Sequence, residues 1–414
     1  MLRSNRLALA TAVQAGKQRL NSAVTQLKIL IKVVIVKTEN ILTFRNRGLV
    51  IIDDYFPRLA TAFRVAEFNR ILEYFEDAVL YSTLADRTSF SNYAKSYPKF
   101  ANRVRKFHPV RHLKGSGAYA VFLNNIFGCV EHLERHRLPF VFELYPGGGF
   151  RLNNAVSDAH LRRVFRSSMF RKVIVTQNIT RDYLLHNKFC SERQIELIFG
   201  VVVLSNILNN EKNKRVQFEV DKDTFDICFV ANKYTPRGLD KGYDRFIACA
   251  EILSARNPQA RFHIVGEFTE KDIEIREPLQ RVVTFYGPRV TSFFPQFYAR
   301  MDLILSPNVP FAFVPGAFDG FPTGCCIEAA LCGTALFICD ELSLNDGRFK
   351  DGRDLVIIPR DPERIAEIVE RYIRDPEQLK LLAANGQRAV RNLFDQEVQM
   401  TPRLRILDEL LKNG

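Results

Sequence analysis

Residues 319–333, DGFPTGCCIEAALCG, predict a turn, a short helix and the approach to a strand. A turn rich in glycine and threonine that opens a helix presents unbonded N–H groups at the positive end of the helix dipole, which suits an anion such as a diphosphate. The predicted helix, 325–331, is apolar apart from Glu328, and Gly333 is suited to end it. A carboxylate in such a helix needs hydrogen-bond partners, for example sugar hydroxyls. An ordinary capped helix with a satisfied acid would show the same pattern, so the rest of the chain must decide.

Length and composition indicate a globular protein of two domains. A chain of 414 residues is too long for one compact core, and 47% hydrophobic with 25% charged residues is typical of soluble proteins. The sequence shows neither an apolar run that would span a membrane nor a signal-peptide pattern. The eight cysteines are scattered, so we expect free thiols in a reducing compartment and a cytoplasmic protein. No Cys or His spacing matches a zinc site, and we expect neither a metal nor a cofactor.

The positive charge is concentrated in residues 1–47, which hold nine Lys and Arg against one acid and so carry eight of the net +13. Apolar residues recur there at helical spacing, which predicts a basic amphipathic N-terminal extension. This pattern favours an anionic membrane surface as a partner, and hence a peripheral position on the inner face of the membrane. A helix packed on its own domain or on a partner chain, or a strand over 28–37, would also fit. Nucleic acid is not expected as a partner, because the segment has almost no aromatic residues to stack on bases.

The rest of the chain alternates predicted strands and helices, which is the signature of parallel sheets. Strands are predicted first at 49–56 and then at 78–83, 118–125 and 139–146, while 84–115 is expected to be irregular. The alternation restarts at residue 226 after a polar stretch. We therefore predict an α/β protein with domains over 48–210 and 211–395 that face across a cleft, and a C-terminal helix over 396–414 that returns towards the first domain.

Several stretches resemble family 4 glycosyltransferases of the GT-B fold: FVANKYTPRGLDKGYDRFI, FHIVG, VTFYGPRVTSFFPQFYARMDLILSPN and DGFPTGCCIEAALCGTALF. VIVTQNITRDYLL and IELIFGVV resemble the end of that family's acceptor domain. The resemblance begins near Leu49 and is most specific after Phe225. It implies two Rossmann-like domains, the first for the acceptor and the second for a nucleotide sugar. It also implies a retaining, metal-independent enzyme whose acceptor is a glycan, a lipid-linked molecule or another hydroxyl compound.

The matching positions imply roles for particular side chains. Lys233 and Lys241, as a basic pair, would stabilise the leaving diphosphate together with the N–H groups of Thr323 and Gly324. Asp319 would hold a hydroxyl of the sugar, and Glu328 would bind ribose hydroxyls. Lys241, Asp319 and Glu328 are the predicted catalytic residues. The predicted donor-binding residues are Lys233, Lys241, Gly266, Pro322, Thr323, Gly324 and Glu328.

The acceptor side of the cleft is predicted from its position at the ends of the first domain's strands. Three glycines, Gly147, Gly148 and Gly149, follow a strand and allow close approach of a ligand or of backbone. Arg64 is the fourth residue that we expect on this side.

The chain departs from the family pattern in three places. The family usually has two glutamates eight positions apart, whereas Asp319 and Glu328 are nine apart, so the turn must absorb one residue, for which Gly324 is suited. Lys233 stands where arginine is usual and gives a point charge in place of a fork. The first loop has Ala60 and Ala62 in place of paired glycines.

Other functions on this fold remain open at this point. A nucleotide-sugar epimerase or hydrolase, a phosphorylase, and a non-catalytic sugar-nucleotide-binding protein would share the architecture, because fold does not determine function. An epimerase should offer extra carboxylates and histidines in the cleft, and the seven histidines show no such cluster. A phosphorylase would need a lysine for pyridoxal phosphate, and this chain is short for that group.

Overall fold

The computed structural model describes residues 48–108, 113, 115–208 and 214–413. The predicted amphipathic extension, residues 1–47, lies outside the described residues, and so does the predicted domain boundary between residues 210 and 211. No helix within the described ranges is both long and apolar enough to cross a membrane.

The first domain is built on a parallel sheet of seven strands among the described residues, in the order β3-β2-β1-β4-β5-β6-β7. The central strands are continuous buried runs, such as LVIID in β1, because both faces of the sheet are covered. The strands are β1 (Leu49–Asp53), β2 (Val79–Ser82), β3 (Val104–Lys106), β4 (Gly117–Val121), β5 (Phe140–Leu144), β6 (Phe170–Val175) and β7 (Ile195–Leu197).

Helices cover both faces of this sheet. They are α1 (Ala62–Tyr74), α2 (Arg87–Ser96), α3 (Leu123–Arg135), α4 (Ala155–Phe165), α5 (Asn178–His186) and the short α6 (Ser205–Leu208). Helices α3 to α5 pack on one face through Ile126, Leu161 and Leu184, and α1 and α2 pack on the other through Phe68 and Tyr93.

The second domain repeats this plan with six strands in the described part of the chain, ordered β10-β9-β8-β11-β12-β13. The strands are β8 (Phe225–Val230), β9 (Ala260–Val265), β10 (Val283–Gly287), β11 (Leu303–Ser306), β12 (Ala335–Ile338) and β13 (Val356–Ile357). The helices are α7 (Tyr243–Arg256), α8 (Phe294–Tyr298), α9 (Gly324–Leu331), α10 (Pro362–Arg374) and α11 (Pro376–Phe394). Because all these strands run parallel, their carboxyl ends meet at one edge, which faces the first domain across a cleft.

Residues 84–115 were expected to be irregular, and this prediction was wrong. They contain α2 and β3. In α2 only Tyr93 is buried, so the segment shows no apolar periodicity that sequence reasoning could detect. Residues 291–298 form a 3-10 turn, Thr291–Phe293, followed directly by α8.

The last helix, α12 (Gln396–Asn413), starts directly after α11 and packs on the sheet of the first domain. Its buried Leu404, Leu407 and Leu410 share a core with Ile51 and Phe68. The chain therefore passes between the domains a second time, close to its C-terminus.

Arg403 of α12 is fully buried and ties this helix to β5. Its Nε and Nη2 atoms lie 3.0 Å and 2.6 Å from the two carboxylate oxygens of Glu143, which is also fully buried. Its Nη1 donates to the carbonyl of Gln399 at 2.7 Å. Two groups with no access to water are thus fully paired with each other, which is the condition under which buried charges are tolerated.

A second carboxyl, Glu67, shares this buried network through Tyr119. The Tyr119 hydroxyl lies 2.5 Å from Glu67 Oε1 and 2.7 Å from Glu143 Oε2. Burial, and then repulsion from Glu143, raise the pKa of Glu67 to about 8. A hydroxyl has one proton to donate, so a protonated Glu67 satisfies both contacts: Glu67 donates to Tyr119, and Tyr119 donates to Glu143.

Substitution of Arg403 tests how strongly α12 depends on this ion pair. We expect Arg403→Met to lower the free energy of unfolding by about 3–5 kcal/mol, because it leaves the Glu143 carboxylate buried without a cation. Arg405→Met is the matched control, since the Arg405 side chain is 62% exposed and lies 3.4 Å from Glu196; its effect should stay within about 1 kcal/mol. Urea unfolding measures both, and equal small effects would show that the buried pair contributes little.

Candidate active site

A cavity of about 330 Å³ lies between the two domains. The first domain contributes the loop before α1 and its first turn, and the second contributes the carboxyl ends of β8, β9, β10 and β11 with the start of α9. The lining residues are Ala60, Thr61, Ala62, Phe63, Arg64, Val203, Val230, Ala231, Asn232, Tyr234, Lys241, Val265, Gly266, Pro288, Arg289, Thr291, Phe294, Asn308, Asp319, Thr323, Gly324, Cys325 and Glu328.

The amino end of α9 faces this cavity. The N–H groups of Gly324 and Cys325 form no hydrogen bond with any described residue, because they belong to the first turn of the helix, and the Thr323 side chain does not cap it. The first bonded N–H groups are those of Cys326 and Ile327, which donate to the Thr323 carbonyl at 3.0 and 3.1 Å. The cavity therefore has two free donors and the positive end of a helix dipole on one wall.

Glu328 lies one turn further along α9, where it is 8% exposed and lines the same cavity. Its carboxyl forms no hydrogen bond or ion pair with the described part of the protein. Burial, with a smaller contribution from Cys325, raises its pKa to about 8. The sequence predicted that this acid needs hydrogen-bond partners. In the structure, a molecule bound in the cavity is in a position to supply them.

Lys241 and Asp319 form an ion pair at the cavity wall. The Lys241 Nζ atom lies 2.7 and 2.6 Å from the two carboxylate oxygens of Asp319, and Asn308 donates to the same carboxylate at 2.5 Å. Burial alone would lower the pKa of Lys241, but the negative charges of Asp319 and Asp240 outweigh it and raise that pKa above its ordinary value. The lysine is therefore a fixed positive charge.

Gly242 fixes the direction of this lysine. It has a φ of +69° and ends the turn before α7. A Cβ at this position would lie 1.9 Å from the carbonyl oxygen of Pro307, so only glycine allows the turn to pack against the end of β11. The turn and the strand end bring Lys241 and Asp319 together although 78 positions separate them.

Lys233 does not line the cavity, in contrast to the prediction. Its Nζ atom lies 2.9 and 3.1 Å from the carboxylate oxygens of Asp272, in the loop after β9. Asp272 also accepts from the backbone and hydroxyl of Thr269. The structure thus separates the two lysines that sequence reasoning treated as a pair.

Arg64 lines the cavity, but its guanidinium is occupied. Nε lies 3.0 Å from Asp53 and Nη2 lies 3.2 Å from Asp54, and both acids are buried at the end of β1. Burial raises the pKa of Asp53 in spite of the nearby arginine. The rings of Tyr55, Phe63 and Phe122 surround the guanidinium carbon at 4.8–5.4 Å. Arg64 therefore holds the first-domain wall of the cavity in place.

The three glycines after β5 do not line this cavity either. They form a tight turn against the start of α3: a Cβ on Gly148 would lie 2.3 Å from the Phe122 ring, and the Gly148 carbonyl accepts from the Asn124 N–H at 2.9 Å. Close packing against the Phe122 side chain thus requires glycine at position 148. At Gly147 and Gly149 a Cβ would have room, and the positive φ values of +86° and +89° favour glycine instead.

Of the other predicted donor-binding residues, Gly266, Thr323 and Gly324 line the cavity, and Pro322 is buried beside it outside the lining. The carbonyl of the preceding Phe321 accepts from Gln177 Nε2 of the first domain at 3.2 Å. Pro322 thus lies where the two domains touch.

The cavity residues that sequence reasoning missed include Tyr234, Arg289 and Asn308. Arg289 and Asn308 each lie two positions after the end of a strand, β10 and β11 respectively. Ligands bind at the carboxyl ends of parallel strands, so this signal was available. Within the ranges that the structure describes, no group of three or more His, Cys, Asp or Glu side chains is placed to hold a metal ion.

Comparisons with known proteins agree with this architecture. Residues 245–401 match a family model described as glycosyl transferase-like. No curated protein sequence matches the chain.

Solved structures show the fold. HepE of Anabaena, crystallised with UDP, is 16% identical with a TM-score of 0.66, and the match covers 87% of this chain and 100% of HepE. Sucrose-phosphate synthase from Thermosynechococcus elongatus is 13% identical with a TM-score of 0.62, covering 89% of this chain and 100% of that one. A glycosyltransferase from Rickettsia africae is 14% identical with a TM-score of 0.58, covering 90% and 100%. The predicted GT-B arrangement is confirmed, and membership of family 4 stays a prediction.

The raised pKa of Glu328 predicts a pH-dependent stability. The unfolded chain releases this proton near pH 4.5 and the folded chain near pH 8, so between these values the free energy of unfolding falls as the pH rises. The glutamine side chain in Glu328→Gln cannot ionise, so the variant does not lose unfolding free energy at this position as the pH rises. We therefore expect the melting temperature of the variant, relative to the wild type, to rise between pH 5 and pH 9, by roughly 1 °C for each kcal/mol of unfolding free energy.

Glu377→Gln is the matched control, because the Glu377 side chain is 80% exposed. Its melting temperature relative to the wild type should change little with pH. If the two variants show the same pH dependence, the Glu328 carboxyl is not held neutral by its surroundings.

Proposed function

We propose that the protein is a retaining glycosyltransferase that moves a sugar from a nucleoside-diphosphate donor to a hydroxyl acceptor without a metal ion. One observation carries the proposal. A buried lysine, the first N–H groups of α9 and a buried glutamate line the same cavity between two domains, and these N–H groups and the glutamate carboxyl have no hydrogen-bond partner among the described residues. These are the groups that a diphosphate and an attached polyol require.

The diphosphate binds between Lys241 and the N–H groups of Gly324 and Cys325. An anion at a helix N-terminus gains both the free donors and the dipole. Negative charge grows on the diphosphate as the bond to the sugar breaks, and preorganised donors in a partly dry cavity stabilise that charge strongly. Lys233, engaged with Asp272 outside the cavity, contributes less than Lys241.

Glu328 binds the ribose hydroxyls and Asp319 binds a hydroxyl of the transferred sugar. The absence of protein partners for Glu328 in the described ranges supports this role, since a buried carboxyl without partners is costly unless a ligand supplies them. HepE has been crystallised with UDP and with UDP-glucose, which makes these two molecules the first probes and a hexose the first sugar to test.

In the reaction, the bond between the anomeric carbon and the diphosphate oxygen breaks, and that oxygen keeps the electron pair. The acceptor oxygen forms its bond to the anomeric carbon on the same face of the ring, which retains the configuration. The acceptor's proton passes to the departing phosphate. Lys241, held charged by Asp319, takes the charge-stabilising role.

The acceptor is a glycan, a lipid-linked molecule or another hydroxyl compound, and it enters from the first-domain wall formed by the loop that Arg64 holds. We also propose that residues 1–47, with their net charge of +8, bring the enzyme to an anionic membrane at its cytoplasmic face.

The membrane proposal predicts that the full chain sediments with vesicles of phosphatidylglycerol and phosphatidylcholine, and that a chain starting at residue 48 does not. The bound fraction should fall as salt rises, because screening weakens attraction between exposed charges. Neutral phosphatidylcholine vesicles are the control. Equal sedimentation of the two chains would reject the role of residues 1–47.

The donor proposal predicts that UDP or UDP-glucose raises the melting temperature of the wild type. Lys241→Ala should weaken UDP binding by roughly 10–100-fold, because it removes a charged hydrogen-bond donor from the cavity. Lys233→Ala should change the affinity by about twofold or less, since Lys233 lies outside the cavity lining. Titration calorimetry measures both, with and without EDTA to test for a metal.

Circular dichroism of both variants controls for folding. The proposal fails if no nucleotide sugar in a panel of UDP, ADP, GDP and dTDP donors stabilises the wild type or is slowly hydrolysed by it. Equal losses in the two lysine variants would contradict the assignment of Lys241.

A further inference from the structure

The loop between β11 and α9 exposes aromatic side chains at the mouth of the cleft. Residues 309–318, VPFAFVPGAF, leave Phe311 42% and Phe313 50% exposed, whereas Phe318 is buried. Tyr234, in the neighbouring loop after β8, is 59% exposed. Scattered exposed apolar residues need no explanation. Here, however, Tyr234 lines the cavity and Phe311 and Phe313 lie close together in the next loop, which marks a candidate contact surface.

The loop is held in one shape at both ends. Its first N–H, from Val309, donates to the carbonyl of Asp240 at 3.0 Å, and the Gly316 carbonyl accepts from Leu152 of the first domain at 2.9 Å. The buried Phe318 ring packs against Phe150 of the first domain, with centroids 6.1 Å apart. The loop therefore reaches across the cleft and presents its two exposed rings from a fixed frame.

The backbone conformation at Phe311 indicates that the loop has a functional role. Phe311 has a φ of +68°, a conformation that is rare for a bulky residue, and its N–H donates to the Ala317 carbonyl at 2.7 Å. Such a conformation persists only where the surroundings impose it, and it is concentrated at functional sites.

The exposed rings are continuous with the reaction cavity. The Phe313 and Tyr234 rings lie with centroids 6.3 Å apart at 47°. Tyr234 lines the cavity, and the Nζ atom of Lys241 lies 4.9 Å from the centre of its ring. The aromatic surface thus begins at the Lys241–Asp319 pair and extends outwards to Phe313.

We propose that the paired rings of Tyr234 and Phe313, with Phe311 exposed two positions earlier in the same loop, form a stacking platform for a sugar ring of a carbohydrate acceptor. The inference rests on the proposed function and specifies the acceptor's chemical class. The face of an aromatic ring is electron-rich and attracts the weakly positive C–H groups on the flat side of a pyranose. The hydroxyls at the edge of that pyranose can then bond to polar groups at the same mouth, such as Asp319, whose side chain is 34% exposed.

A carbohydrate fits this surface better than an acyl chain. The platform borders two charged side chains, and an acyl chain laid across it would remove water from them without replacing their hydrogen bonds. A sugar offers both an apolar face and hydroxyls, which matches a surface that is aromatic outside and charged towards the cavity.

The absence of tryptophan from the chain provides a direct test. Phe313→Trp places a single indole on the platform, so its emission reports on that position alone. We expect a saturable change in emission with at least one of maltopentaose, cellopentaose and chitopentaose in the presence of UDP, and its loss when Tyr234→Ala is added. A response to phosphatidylglycerol vesicles but to no oligosaccharide would overturn the inference in favour of a lipid surface, and so would no response at all.

Transfer measurements give the second test. With UDP-glucose and the oligosaccharide that responds, the double variant Phe311→Ala, Phe313→Ala should lose about 10-fold or more in transfer, while its affinity for UDP stays that of the wild type. Leu381→Ala, an exposed apolar residue on α11, is the control and should change neither. Unchanged transfer in the double variant would contradict the platform.

The two proposals can fail separately. A wild type that binds no nucleotide sugar rejects the glycosyltransferase function. If the wild type binds UDP but the emission of Phe313→Trp changes with none of the three oligosaccharides, only the platform is rejected.

Discussion

The ion pair between Arg403 and Glu143 is the interaction on which the arrangement of the two domains most depends. It joins the last helix of the chain to the central sheet of the first domain, across 260 positions of sequence. Because α12 follows directly on α11 of the second domain, this pair limits where the second domain can lie relative to the first. Both domains line the cavity, so its shape depends on the Arg403–Glu143 contact, which is not part of the cavity itself.

The two buried carboxyl groups, Glu143 and Glu328, show how the protein treats charge for structure and for function. Glu143 is paired at both oxygens and leaves nothing for a ligand. Glu328 is almost as buried, yet it has no partner in the described part of the chain, and its pKa is raised to about 8 as a result. An unsatisfied buried group reduces stability, and such groups are retained where a ligand satisfies them. Burying a carboxyl is costly in both cases. At Glu143 the protein offsets this cost with its own partners, which marks a structural acid, whereas at Glu328 it does not, which marks a candidate binding acid.

Much of the fold could be predicted from sequence, because parallel strands between two helical layers are continuous apolar runs. The motif at 319–333 also indicated the helix start and Glu328, since both depend on residues close in the chain. Lys233 and Lys241 could not be separated in this way. The difference between them arises from Asp272 and Asp319, which lie 39 and 78 positions away and become neighbours only in the folded protein. The role of Gly148 after β5 was likewise hidden, because it depends on the Phe122 ring, which precedes α3.

The charges around the cavity also explain how a strongly anionic donor can enter a site that contains three acids. Asp319 is neutralised by Lys241 and further bonded by Asn308, and Asp240 lies 3.7 Å from the same lysine. Glu328, with a pKa of about 8, is largely protonated at neutral pH and does not repel a diphosphate. The cavity therefore presents to an approaching anion the helix start of α9 and the edge of an already positioned ammonium group. Asp319 keeps Lys241 charged, and a diphosphate can replace Asp319 at the lysine or bind beside it. The site is therefore ready for an anion, and the buried lysine is already paired before the anion binds.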